Sequence, residues 1–428
     1  MGKTHANVLL INSTSINRDT SASITMRNCF SKWPKESLME VYFGDGAEKV
    51  ISDGVNGYAI PVNYFPFKYV ATRKLFKKMN SSMKSVAPSG TTNQGQPKRT
   101  WKSYVREWLA LTVSNSFFVF PQTIYQEIVD FNPSYIYTIG ESFLVMNLAV
   151  KISKKLNIPI VPHFMDNWQE AIEWQDNPLL KGYKKKLDRS VKKLYERTDE
   201  ALGISQRMCE VYSSKWKVPH YPLMNTVNIE LYNSAVKKIS DKIEFLYAGG
   251  LHLNRWDALN KIGLAIDEVT QQIGTECTFK IYTSIENINR YRACFTAKSI
   301  VLEEAVKYEE MPRLYQEADV LVHAETDSLM YDTFAKYSLT TKLPEYLISN
   351  RPFLYWGPDS LFLTEFLAGR DLCYYAKADT ELVDVIKTML RDEQTRNQKM
   401  KNAREAAING FSTEYSEKTL KKIMRLKE

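Results

Sequence analysis

Short apolar runs recur along the chain, each separated from the next by a segment of helical period, and the pattern occurs in two successive halves. In the first half Val8-Leu9-Leu10-Ile11, Val41–Gly44, Tyr135–Ile139, Ile158–Phe164 and Glu200–Ser205 read as buried strands, with helices expected through Trp33 and over Pro121–Phe131, Phe143–Leu156 and 181–197. In the second half Ile243–Gly250, Phe279–Thr283, Ile300–Leu302 and Asp319–Ala324 read as strands, with helices over Trp256–Gln272 and Tyr308–Glu317. Strands spaced by helices of this length pair in parallel, with helices on both faces of the sheet. The fold class expected is α/β, as two doubly wound Rossmann-like domains. Asn225–Ser240 is the polar connector, which gives domains over 1–228 and 229–411. Ligands of such sheets sit beyond the carboxyl ends of the strands, so the cleft between the halves is the expected site.

At 428 residues the chain is long enough for two or three domains, each with its own core. Cys29, Cys209, Cys277, Cys294 and Cys373 show no CxxC spacing, which suits reduced thiols, and no metal cluster or Asp-x-Asp pair is present. The apolar run at Val8 is too short for a signal-peptide core, and no stretch reaches the ~18 apolar residues of a membrane span. A cytoplasmic protein is expected. The net charge of +8 is unevenly placed. Between Tyr64 and Arg106 there are ten basic residues and no acidic one, interleaved with Phe65, Phe67, Tyr69, Phe76, Trp101 and Tyr104. A second cluster, Lys181–Arg197, has eight basic residues against Asp188 and Glu196. These two stretches are expected to meet an anionic membrane surface, peripherally on its inner face. Nucleic acid is not an expected partner, because no binding module accompanies the charge. A low-complexity loop is expected from about Ser81 to Pro97.

Ser338-Leu339-Thr340-Thr341-Lys342-Leu343-Pro344-Glu345-Tyr346-Leu347 leads through Asn350-Arg351-Pro352 into Phe353–Pro358, and carries the most chemistry. It reads as loop, helix start, short helix, turn and buried strand. Thr340 or Thr341 can cap, Pro344 is tolerated only in the first turn, and Asn350 can close the helix. Lys342 and Glu345, three residues apart, share a face. The cation can hold a diphosphate and the carboxylate the hydroxyls of a ribose; an ordinary surface ion pair is the other reading.

The C-terminal half resembles the large group of retaining GT-B glycosyltransferases that build bacterial surface polysaccharides (glycosyltransferase family 4-like). The resemblance is carried by Phe245–Leu251 with Arg255, Val301–Tyr315, Glu317–Val322, and Lys342–Leu347 with Arg351-Pro352. In the first half it is carried by Ile204-Ser205 and Pro222–Val227. The resemblance implies a nucleotide-diphosphate sugar held by the second domain and a lipid-linked or saccharide acceptor held by the first. The donor-binding set is then Gly249, Gly250, Arg255, Thr340, Thr341, Lys342 and Glu345, with Arg255 and Lys342 toward the diphosphate and Glu345 on the ribose. Ser13, Thr14 and Ser15 occupy the acceptor-side loop, and the helix at 412–428 is expected to pack back on the first domain. No cofactor is implied, since the nucleotide sugar is a substrate. Without Asp-x-Asp, a metal-independent transfer is expected.

This chain departs from the family at two places. Gly250 stands where many relatives carry an arginine, and Tyr337 stands eight before Glu345 where many carry a second glutamate. Glu325 or Asp327 can supply the displaced carboxylate. Asp166, just beyond a strand end, is the candidate for orienting or deprotonating an acceptor hydroxyl, or alternatively a helix N-cap. His163 is expected in the core. A degenerate scaffold subunit and a nucleotide-sugar epimerase are the competing readings.

Overall fold

The computed structural model describes residues 4–44, 49–52, 54–61, 101, 105, 120–140, 142–167, 170, 180–232, 236, 237, 239, 242–251, 254–326 and 333–427. The low-complexity loop, nearly all of the basic stretch 64–106, and Asp327 lie outside them.

The strands are β1 Val8–Asn12, β2 Leu38–Gly44, β3 Lys49–Ser52, β4 Val55–Pro61, β5 Tyr135–Ile139, β6 Ile160–Phe164, β7 Ala201–Gly203 and β8 His220–Pro222 in the first half. The second half contains β9 Lys242–Ala248, β10 Glu276–Thr283, β11 Ile300–Glu304, β12 Val320–Ala324, β13 Phe353–Trp356 and β14 Tyr374–Ala376. They form one sheet in the order β3-β4-β2-β1-β5-β6-β7-β8 and a second in the order β11-β10-β9-β12-β13-β14. All pairings are parallel except the β3–β4 hairpin at one edge. The expected class is what the molecule adopts. In each sheet the order reverses direction beside the first strand of its half, β1 in one and β9 in the other. A crevice opens at such a reversal.

Local sequence explains the helices that frame these crevices. Helix Phe143–Leu156 starts where the Ser142 side chain accepts from Val145 N, and stops at Asn157, whose φ of 53° asparagine tolerates. Helix Ser21–Cys29 is capped in the same way by Thr20. Helix Leu343–Ile348 departs from expectation. Lys342 is its N-cap and no side chain caps it, while the Thr340 carbonyl accepts from Leu343 N at 2.9 Å. Pro344 lies in the first turn and Asn350 takes φ 55° just past the end, as the sequence suggests.

The connector is less loose than its polarity implies. Asn225, Thr226 and Val227 are buried, and Val227 N donates to Phe411 O at 2.8 Å, forming a parallel bridge with Ser412. The final helix, Thr413–Ile423, lies against helix Ser21–Cys29. There Ser416 Oγ donates to Cys29 O at 3.0 Å, and Tyr135 Oη donates to Met424 O at 2.6 Å. His163 is core, bonded to Tyr137 Oη and Leu223 O, and burial lowers its pKa to about 4.

Candidate functional site

Two adjoining cavities occupy the space between the sheets, and both touch Ser21 and Thr341. The larger, 420 Å³, lies beyond the ends of β9, β10 and β11 and includes Gly249, Gly250, Thr283, Asn287, Lys342 and Glu345 in its wall. The other, 340 Å³, is lined by Asp166, Gly140, Arg255, Glu325, Thr340 and Ser338.

Lys342 reaches back over the strand-end turn. Its Nζ sits 4.7 Å above the Tyr247 ring and 3.5 Å from the Tyr247 hydroxyl, which itself donates to Gly250 O at 2.8 Å. A cation above an aromatic face is held electrostatically, so Tyr247 fixes both the turn and the ammonium. Gly249 has the space this requires. A Cβ there would overlap Lys342 Nζ and approach Lys342 Cε to 2.8 Å and Tyr247 Oη to 2.9 Å.

Glu345 is only 4% exposed. Burial pushes its carboxyl up to about 7, against the opposing pull of hydrogen bonds from Tyr308 and Tyr315 and the charge of Lys342. Tyr315 Oη lies 3.3 Å from Glu345 Oε2. Helical spacing places Glu345 and Lys342 on one wall, and the tyrosines arrive from residues 308–317.

Arg255 opens helix Arg255–Ile273 and is buried. Its Nε donates to Ala324 O at 2.9 Å and its Nη2 to Glu325 Oε2 at 2.6 Å. His323 Nε2 holds the other oxygen of Glu325 at 2.7 Å, and burial lowers the imidazole pKa, so the neutral ring donates there. Arg255 and Glu325 therefore form one buried unit in the Asp166 cavity, whereas Lys342 stands in the neighbouring one. Asp166 accepts from Ser338 Oγ at 3.2 Å across the cleft.

The serine-rich loop divides. Ser15 Oγ donates to Glu40 Oε1 at 2.7 Å and Ile16 N to Glu40 Oε2 at 2.8 Å, so the buried Ser15 hydroxyl is turned inward and shapes the loop. Thr14 Oγ1 is 3.2 Å from Ser23 Oγ, and Ser13 is half-buried beside it. Thr341 contributes its carbonyl, which accepts from Asn225 Nδ2 at 2.7 Å. Tyr337, eight residues before Glu345, offers its carbonyl to Ser205 Oγ and packs its ring against the core. Tyr247, His323, Tyr308 and Tyr315 escaped sequence reading, since nothing in their spacing separates them from core residues.

Residues 264–421 match the family model described as glycosyl transferase-like. No curated protein matches the sequence. Among solved structures, HepE of Anabaena in complex with UDP and glucose superposes with a TM-score of 0.62 at 12% identity, over 98% of this chain and 100% of that one. The sucrose-phosphate synthase of Thermosynechococcus elongatus gives 0.63 at 11% identity, over 98% of each chain. A trehalose-6-phosphate structure from E. coli bound with UDP-2-fluoro glucose gives 0.59 at 8% identity, over 98% of this chain and 99% of that one. The fold is GT-B. Within it, the glycosyl transferase-like segment takes in β10 to β14 and the helices beyond, and so includes Lys342 and Glu345 of the larger cavity and Glu325 of its neighbour.

Proposed function

We propose that the chain is a glycosyltransferase that takes its sugar from a nucleoside-diphosphate donor. The observation that carries this is the wall of the 420 Å³ cavity, where a buried carboxyl, an ammonium and a glycine turn meet beyond three parallel strand ends. The Gly249-Gly250 turn lets backbone approach a diphosphate, Lys342 supplies positive charge, and Glu345 accepts from ribose hydroxyls. Solved structures of the same fold that are named with UDP, UDP-glucose or a fluorinated analogue support this occupant.

The sugar then points into the Asp166 cavity. The bond from the anomeric carbon to the diphosphate oxygen breaks, an acceptor oxygen bonds to that carbon, and the acceptor proton passes to Asp166 or to the departing phosphate. Lys342 stabilises the leaving diphosphate without a bridging metal. Arg255, neutralised in part by Glu325, sets the local field at the sugar. Retention of anomeric configuration and a role in bacterial surface glycan synthesis belong to the same reading.

The acceptor is lipid-linked or saccharide. Helix Leu180–Tyr195 supports approach to an anionic membrane: Leu187, Val191 and Leu194 face the core while Lys185, Lys186, Arg189, Lys192 and Lys193 are exposed. Among the described side chains its outer face is charged, which suits electrostatic contact with headgroups. Among the described residues no helix is long and apolar enough to cross a membrane.

Calorimetry against a panel of nucleotide sugars tests the donor reading. Binding is expected in the wild type and a loss of at least about tenfold in Glu345→Ala and Lys342→Ala, the size of one charged hydrogen bond. Equal binding by all three proteins would overturn it. Release of nucleoside diphosphate only when an acceptor is present distinguishes transfer from epimerisation.

A further inference from the structure

Tyr308 stands where the two lobes meet above Glu345. Its side chain lines the same cavity as Glu345, close enough that the phenol pulls the carboxyl's pKa down. The phenol oxygen receives Asn28 Nδ2 at 2.8 Å, from helix Ser21–Cys29 of the other lobe. Asn28 Nδ2 also donates to Asn225 Oδ1 at 2.9 Å, and Asn225 Nδ2 in turn donates to Thr341 O. The guanidinium of Arg27 lies 5.7 Å from the Tyr308 ring centroid. Hydrogen bonds in series polarise one another: a phenol oxygen that accepts an amide N–H gives up its own proton more readily to a carboxylate.

We propose that Tyr308 is a positioning residue for Glu345, and that Asn28 acts through it so that the seating of one lobe on the other sets how well Glu345 serves as an ionised acceptor. Its use in nucleotide capture rests on the reading of Glu345 given above. The groups that face this carboxyl are known. Lys342 and Tyr346 come from its own segment, Tyr315 from helix Met311–Glu317, Tyr232 from the connector, and Tyr308 from the lobe boundary. Lys342 brings positive charge; the tyrosines are neutral, their hydroxyls held protonated by burial. With the carboxyl near 7, a gain or loss of one donor changes its charge at neutral pH. Contact between lobes thereby becomes part of the donor site.

The decisive experiment needs no nucleotide. Urea unfolding is followed from pH 5 to 9 for the wild type, Tyr308→Phe and Asn28→Ala, each alone and combined with Glu345→Gln. A carboxyl raised in the folded state contributes stability below its unfolded value, and this is lost as pH rises through the folded one. Relative to the matching Glu345→Gln protein, that loss is expected to run upward from pH 5 and to be complete near pH 7 in the wild type. It should move upward by about one unit in Tyr308→Phe and about half a unit in Asn28→Ala. Coincident profiles for all three would overturn the relay, whatever nucleotide does. UDP calorimetry supplies the second arm: Tyr308→Phe should weaken binding about fivefold at pH 7 and by less than about twofold at pH 8.5. A wild type that binds no UDP yet shows the shifted unfolding profiles would overturn the nucleotide reading and leave the relay standing.

Discussion

At the scale of single residues, the buried pair Arg255–Glu325 and the bare turn at Gly249 make opposite demands. Glu325 has a cationic and an imidazole partner at 2.6 and 2.7 Å, so removing its charge leaves the charge of the buried Arg255 unbalanced. Glu325→Gln should therefore lower unfolding free energy by about 3 kcal/mol in urea titration, and Arg255→Met/Glu325→Leu together should recover most of that loss. Gly249→Ala acts on stability and function together, because φ 153° strains any residue with a Cβ. Its methyl also displaces Lys342 from the Tyr247 ring, so nucleotide affinity measured by calorimetry should fall about tenfold or more and the melting temperature should fall with it. Lys342, Glu345 and Gly249 were legible because helix spacing and a strand-end glycine place them without knowledge of the rest. Tyr308, Asn28 and His323 were not. Asn28 and Tyr308 are 280 positions apart, and only the closing of one lobe on the other brings them together.

At the scale of elements, legibility follows burial. Strands such as β5 and β6 sit inside parallel sheets, so their apolar runs are continuous and easy to read. The β3–β4 hairpin lies at an edge and mixes polar with apolar residues; its signal was Asp53-Gly54, which the run of short strands around it obscured. The helices Leu382–Arg391 and Glu393–Phe411 have many charges outside narrow apolar stripes, and β14 has only three residues. The last helix was legible, and its docking rests on Leu420, which is fully buried. Leu420→Ala should cost about 3 kcal/mol in urea unfolding, the range for a large cavity in a packed core. The helix with the basic outer face supports a separate expectation. Reversing Lys185, Lys186, Lys192 and Lys193 to glutamate should abolish flotation with phosphatidylserine vesicles at low salt, while vesicles of neutral lipid should bind neither protein.

At the scale of the whole molecule, side chains and backbone tie the lobes together around the cleft. Arg207 bonds both oxygens of Glu365 at 2.8 and 2.9 Å on the exposed rim, and Asn167 N donates to Phe334 O at 3.1 Å deeper in. The rim pair is solvated, so Arg207→Ala should change unfolding free energy by less than about 1 kcal/mol, as read from urea midpoints. A larger loss would place more of the attachment at the surface than the burial pattern allows. The bond between Val227 and Phe411 has a consequence for how such a molecule can flex. The polypeptide passes from lobe to lobe at 227 and returns at 412, and the two passages are stitched side by side. Two separate tethers would let the halves slide, twist and part. One double-stranded hinge confines them to swinging about a single line, so that every excursion either narrows or widens the same mouth.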